Sequence, residues 1–253
     1  MFDVTWMKVA EESIEISALV YFLWSVWVGW IFSTVGAFGG IMAGVGHISI
    51  LNIGKWASAL KGQPTQLGGY EDAGNFVTDN IRFSNNLLTL INSISGTVNW
   101  QLQKRLVWPA GIALGLGAII GAQVAIWTTG GSLDVRVYKG IFGICTWLVS
   151  FYMFYQLSPK MQAKKSAGTQ AAEKFKQRVQ ELKEQGRLNE LEGVENLNID
   201  AKSVGFDFFK EHFEVKHYTP FGYGILVGFI STLIGVGGGF LLVPFLTYIG
   251  LPT

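Results

Sequence analysis

The sequence predicts an all-α, polytopic membrane bundle organised around two glycine-broken segments, and three observations carry that prediction. Charge is segregated: no Asp, Glu, Lys or Arg occurs in residues 16–54, 83–103, 106–133, 140–159 or 217–253. Each block reaches the roughly 20 residues that cross a bilayer core. The chain as a whole is 49% hydrophobic and only 15% charged, against about 25% charged in soluble domains. Finally, residues 228–244, GFISTLIGVGGGFLLVP, have a weaker copy at 29–44, GWIFSTVGAFGGIMAG, at a constant offset of 228 − 29 = 199 residues. Under that offset Gly29 matches Gly228, Ser33 matches Thr232, Gly36 matches Gly235, Gly39 matches Gly238 and Gly40 matches Gly239. Small residues held in register mark an internal repeat. Glycines at membrane depth in matched places of two halves point to a transporter site built from broken helices.

The same counts exclude other classes. A soluble protein with an apolar core does not explain five uncharged blocks. The net charge of +1 gives no sign of a nucleic-acid partner. The one cysteine, Cys145, lies in an apolar block, so no disulfide framework or Cys metal site exists within the chain. Glu11, Glu12 and Glu15 before the first apolar run are unlike the basic start of a cleaved signal peptide.

Taken in order, residues 1–15 read as a polar lead, an interfacial helix. The block 16–54 is too long for one straight span: at about 1.5 Å per residue it would reach nearly 60 Å, about twice the hydrocarbon thickness. It is read as a helix broken at 36–40 or as two limbs meeting there, with the glycines facing the protein interior. Residues 55–82 read as a polar connection. Residues 83–99, FSNNLLTLINSISGTVN, are uncharged yet dense in hydroxyls and amides. Asn85, Thr89, Asn92 and Gly96 fall on one helical face, with Asn86 and Ser93 beside it. Lipid cannot satisfy such a stripe, so it faces the bundle interior as pathway lining or as interhelical glue. Residues 106–127 carry the pairs Gly111–Gly115 and Gly117–Gly121, faces for close helix packing. Residues 128–139 read as a turn, and 140–157 as a helix ending in an aromatic belt.

Residues 158–217 form a hydrophilic insertion. Between 158 and 216 lie 11 Lys/Arg and 10 Asp/Glu, more than half the charges of the chain. Within it 171–192 reads as an amphipathic helix with Phe175, Val179 and Leu182 on one side. His212 and His217 are a weak metal pair with no third ligand, and His47 reads as a packed residue. The chain is thus divided into a first membrane repeat, 1–157, a cytoplasmic loop, 158–217, and the first segment of a second repeat, 218–253.

Lys104 and Arg105 fall on the same side as 158–217 if 106–127 and 140–157 are single crossings, and the positive-inside rule puts that side in the cytoplasm. A hairpin in 16–54 leaves three crossings per repeat and inverts the second copy. The mid-block break and the excess length favour that arrangement.

The residues GVGGGFLLVPFLTYIGLP (235–252), SNNLLTLINSISGTVNWQ (84–101) and IIGAQVA (119–125) resemble the TauE/SafE sulfite-exporter-like membrane proteins. The resemblance covers most of 25–157 and 220–253. AFGG at 37–40 is a degraded form of the second motif, and 55–82 and 158–217 depart from the compact family pattern. The resemblance implies a multi-pass bacterial inner-membrane permease of two similar halves. It implies anionic substrates such as sulfite, thiosulfate, organosulfonates or carboxylates. Against that pattern the second repeat is incomplete, as in a truncated form.

The leading reading is therefore a permease for small sulfur-containing anions, working by alternating access. Helix N-termini exposed at a break hold an oxyanion without a basic side chain. The candidate binding residues are Ser33, Gly36, Gly39, Gly40, Asn85, Asn86, Thr89, Asn92, Ser93, Thr232, Gly235, Gly237, Gly238 and Gly239. The expected partners are a small anion and the lipid bilayer, with a homo-oligomer left open; no cofactor, metal or nucleic acid is implied. The alternative is a non-transporting scaffold that presents 158–217 to a soluble partner. No metalloprotease, nucleophile-elbow or P-loop motif appears in the membrane blocks, so an enzyme is not expected.

Overall fold

The computed structural model describes residues 3–9, 12–36, 38–156, 158, 167–187, 190, 193–208 and 211–248. Ala37 of the first glycine motif and residues 249–252 closing the second lie outside the described residues. The chain divides into two compact units. The first comprises Met1–Asn92, Ala122–Val149 and Phe229–Gly239; the second comprises Ser93–Gly121, Ser150–Gly228 and Phe240–Thr253.

The molecule is mostly helical, but the all-α expectation is corrected by two antiparallel sheets. The polar lead is a hairpin and not an interfacial helix: β1 (Asp3–Val9) pairs with β2 (Glu12–Ser17). The alternation in ESIEIS points Ile14 and Ile16 inward and leaves Ser13 and Glu15 exposed, the pattern of a half-buried strand. These strands share a hydrophobic core with Leu51, Trp56, Ala57, Leu60, Ala73, Val77 and Val135. The segment 55–82 is accordingly not a loop. It contains α3 (Ile53–Ala59) and the first turns of α4 (Ala73–Leu102). Asp72 starts α4 by accepting the Asn75 N–H at 3.0 Å, a helix cap made by a carboxylate.

Two segments fold as helical hairpins. α1 (Ala18–Val35) turns back through Gly36 into α2 (Gly39–Val45), which continues as a π-helical turn over Gly46–Ile50. α8 (Tyr218–Ile234) turns back into α9 (Gly239–Tyr248). The hairpins repeat each other in detail. Gly36 has φ 63° and Gly235 has φ 66°, a region only glycine enters freely. Gly36 donates to Phe32 O at 3.1 Å, and Gly235 donates to Ser231 O, the residue matching Phe32, at 2.8 Å. Trp24 packs on Gly46 in the first hairpin. Their counterparts Tyr223 and Phe245 stack in the second, with ring centroids 3.7 Å apart.

α5 (Trp108–Thr129) and α6 (Val135–Gln156) are two further long helices. α6 begins earlier than the expected turn allows, because Asp134 caps it by accepting the Arg136 N–H at 2.6 Å. The Gly111–Gly115 packing face is also corrected. A Cβ on either glycine would meet nothing within 4 Å. The close approach lies one face away, where α5 meets α8. Cβ atoms on Gly117, Gly224 and Gly228 would fall inside 3.0 Å of the carbonyl oxygens of Phe221, Leu114 and Ala118.

Among the described residues one helix, Trp108–Thr129, is by length and composition long and apolar enough to cross a membrane; Ala18–Thr34, Gly39–Ile50 and Tyr218–Ile234 are shorter apolar helices. Hairpin limbs stop at their glycine tips, and the polar stripe lowers the hydropathy of α4. Leu19, Phe22, Leu23, Val26, Trp27 and Trp30 of α1 nevertheless stand exposed together. An apolar surface of that kind marks a contact with lipid or partner protein.

The hydrophilic insertion folds around its own core. The helix expected over 171–192 runs instead from Ala167 to Glu184 (α7). It ends at Gly186, φ 69°. β3 (Val194–Ile199), β4 (Ser203–Phe208) and β5 (Glu211–Lys216) follow as an antiparallel sheet. Phe175 and Leu182 of α7 pack on Val204, Phe206, Phe208, Phe213 and Val215. Val194 N–H donates to Lys104 O at 2.8 Å, and the Arg105 guanidinium lies 4.5 Å from the Phe175 ring centroid. The α4–α5 link is therefore built into this core. His212 pairs with Asp207 at 2.7 Å and His217 with the Asp200 carbonyl at 2.8 Å, so the two do not form a metal pair.

Candidate functional site

The tips of the two hairpins meet. Gly40 is buried, and a Cβ there would fall inside 3.0 Å of the Val236 carbonyl oxygen. Two backbones approach this closely only where the side chain is a hydrogen. Gly39 packs on the Phe32 ring of its own hairpin.

α4 lies along this seam and presents Arg82, Asn85 and Thr89 to it, at the helical spacing that puts residues three and four apart on one face. A Cβ on Gly235 would lie 2.8 Å from Arg82 Cα and 3.1 Å from Arg82 O. Thr89 touches Gly237, which has φ 77°. The Thr89 hydroxyl donates to Asn85 O at 2.9 Å and reaches Val236 O at 3.5 Å.

Asn85 has no exposed surface. Its Oδ1 lies 2.6 Å from His47 Nδ1, which the π turn carries toward α4. Tyr138 donates its own proton to Ile234 O at 3.0 Å, and its oxygen is a distant acceptor for the Asn85 amide. Asn85 Nδ2 closes no hydrogen bond within 3.5 Å. A buried donor without a partner costs about 1–3 kcal/mol. The Gly237 and Gly238 N–H groups also make no hydrogen bond among the described residues. They precede the N-terminus of α9, where helix dipole and free donors favour an anion.

The structure therefore gathers Gly40, Asn85, Thr89, Thr232, Gly235 and Gly237, with Gly238 and Gly239 next in the chain. Gly36 shapes the first tip from a half-buried position with open space around it. Asn86 and Asn92 are half-buried further round and along α4, and Ser93 is exposed. Ser33 is exposed on α1 and donates back to Trp30 O at 2.8 Å, so it does not join the cluster.

Sequence reasoning missed Arg82. Its guanidinium is buried and donates from Nε and Nη2 to Thr232 O at 3.2 and 3.1 Å. It also donates to Thr129 Oγ1 at 2.9 Å and to Asp79 Oδ1 at 2.6 Å. Thr232 O is among the last carbonyls of α8, which lack partners within the helix. A cation there complements the helix dipole. Asp79 also accepts from the Tyr70 hydroxyl at 3.0 Å and from the Gly131 N–H at 2.7 Å. Burial and then the Asp79 charge push the Tyr70 hydroxyl up to about 12, so it stays a donor. The available signal was position: Arg82 is the first charge before an uncharged block. An ion sits there only if the fold supplies partners.

A family profile described as Sulfite exporter TauE/SafE matches residues 76–253. The match takes in α4 from Phe76 onward, with Arg82, Asn85 and Thr89, and the whole second hairpin. Comparison with curated proteins returns no match, and neither does comparison with solved structures.

Proposed function

The chain belongs to the sulfite exporter TauE/SafE family of membrane transporters, and we propose that it is a permease that binds a small sulfur oxyanion or organosulfonate where its two glycine tips meet. The observation that carries this reading is the Asn85 amide: fully buried, at the seam, with its Nδ2 donor unpartnered. Gly237 and Gly238 add backbone N–H donors. Neutral donors suffice for an anion that must also leave, since they bind it without the grip of an unpaired cation. Arg82 is already matched by Asp79. It serves the site by holding α8 at the break.

Alternating access then consists of the tips parting and rejoining about Gly36 and Gly235. The hairpins enter from opposite faces of a bacterial inner membrane, as copies of inverted topology do. The insertion 158–217 lies on the cytoplasmic side with Lys104 and Arg105. A scaffold role draws on one observation, the separate core of that insertion, but gives no reason for a buried, unsatisfied amide.

The test is flux in proteoliposomes across sulfite, organosulfonates and small carboxylates, for the native protein and Asn85→Leu at matched folded amounts. Flux of a sulfur anion that Asn85→Leu abolishes is the expected result. A native protein that moves none of them overturns the proposal.

A further inference from the structure

His47 is the imidazole that the structure carries to the seam, and it touches the one amide on which the anion site depends. It lies in a π-helical turn closed by the Leu51 N–H donating to Gly46 O at 2.8 Å. Such turns are rare and recur at functional sites. Its Nδ1 is 2.6 Å from the Asn85 amide oxygen.

An amide is two-faced: its oxygen only accepts and its NH2 only donates. Which face meets His47 depends on Nδ1. When Nδ1 carries a proton it needs the oxygen, and the NH2 is left pointing away, unpartnered. When Nδ1 is bare it needs the NH2. The amide then turns over and shows the seam an oxygen, which repels an oxyanion. A neutral imidazole permits either arrangement; an imidazolium permits only the first.

The other titratable or charged groups on the elements around His47 leave it free to act in this way. Asp79 and Arg82 on α4 pair with each other at 2.6 Å. Tyr138 and Lys139 on α6 donate to Ile234 O and Gly54 O, each at 3.0 Å. Lys55 on α3 is exposed, and Tyr21 lies on α1. Among the described residues none of these bonds to His47.

We propose that His47 is a positioning and proton-coupling residue, whose proton turns the Asn85 amide donor-side toward the glycine tips so that anion and proton bind together. This rests on the anion site proposed above. Coupling is reciprocal: a proton that favours the anion is itself favoured by the anion.

The test uses methanesulfonate, whose charge is constant over the range studied, binding to the purified protein between about pH 5.5 and 8. Native affinity should rise severalfold as pH falls through the His47 titration and level off on the alkaline side, where a neutral imidazole with its proton on Nδ1 still permits the donor-side arrangement. Mixing in weak buffer at the middle of that rise should take up a fraction of a proton per anion bound. His47→Asn places an amide donor where Nδ1 stands, and that donor does not titrate. This variant should bind with a flat pH profile and no proton uptake. A flat profile and no proton uptake in the native protein would overturn the proposal, and so would a native slope retained in His47→Asn. The native proton-uptake measurement decides the matter even if His47→Asn does not fold. Asn85→Leu should lose binding at every pH. Absence of native binding at every pH would instead overturn the anion site beneath this inference.

Discussion

Gly36 and Gly235 hold matched places in the repeat and the same left-handed φ, yet alanine should cost them different amounts. At Gly36 an added Cβ meets nothing within 4 Å, so only the backbone strain of φ 63°, ψ −95° remains, about 1–3 kcal/mol. At Gly235 the positive φ of 66° is strained as well, and the Cβ would also lie 2.8 Å from Arg82 Cα, 3.1 Å from Arg82 O and 3.2 Å from Arg82 Cβ. Two of these atoms are backbone of a helix and cannot rotate away. Overpacking of that kind adds about 1–3 kcal/mol to strain of about 1–3 kcal/mol, for a total of about 2–6 kcal/mol. Gly115→Ala is the neutral control. It sits in a helix with open space around it, so it should be neutral or gain up to about 1 kcal/mol of helix propensity. Unfolding free energies from SDS titration of the three purified variants should rank Gly235→Ala below Gly36→Ala below Gly115→Ala. Equal losses at Gly36 and Gly235 would refute the close packing of α4 on the second tip.

Two further predictions follow from the same contacts. Arg82→Met leaves Asp79 buried without its cation and uncaps Thr232 O, and should destabilise by about 3–5 kcal/mol; Arg82→Met with Asp79→Leu should recover much of that loss, read by the same titration. In a background lacking Cys145, Gln185→Cys and Glu71→Cys should label from opposite compartments; labelling of both from one side would contradict the proposed orientation.

The glycine tips were legible because their chemistry has no substitute. A positive φ at Gly36 and Gly235 and a backbone contact at Gly40 each demand a hydrogen in place of a side chain. Matched glycines at a fixed offset therefore report geometry directly. The face of α5 used for packing was not legible. Gly111–Gly115 and Gly117–Gly121 look alike in sequence, and only the placement of α8 selects Gly117. The sheet of the insertion did carry a signal, the period-2 pattern of Val204, Phe206 and Phe208 and of Phe213 and Val215. The surrounding charges mask it, and the helix expected over 171–192 stops short of these strands. Arg82 and His47 were under-read for a common reason. A single polar residue at the edge of an apolar block looks like a boundary until the fold shows what it bonds.

In the proposed function the glycine break before α9 holds the anion, and sulfite-induced thermal stabilisation tests this most directly. At a concentration 100 times the dissociation constant, a bound ligand stabilises by about 2.7 kcal/mol. The native protein and Gly115→Ala should both show that gain at matched folded amounts. Gly238→Ala and Gly239→Ala should lose it, because a Cβ beside the free N–H groups blocks the approach of the anion. Full stabilisation retained in both Gly238→Ala and Gly239→Ala would contradict the account and place the site elsewhere.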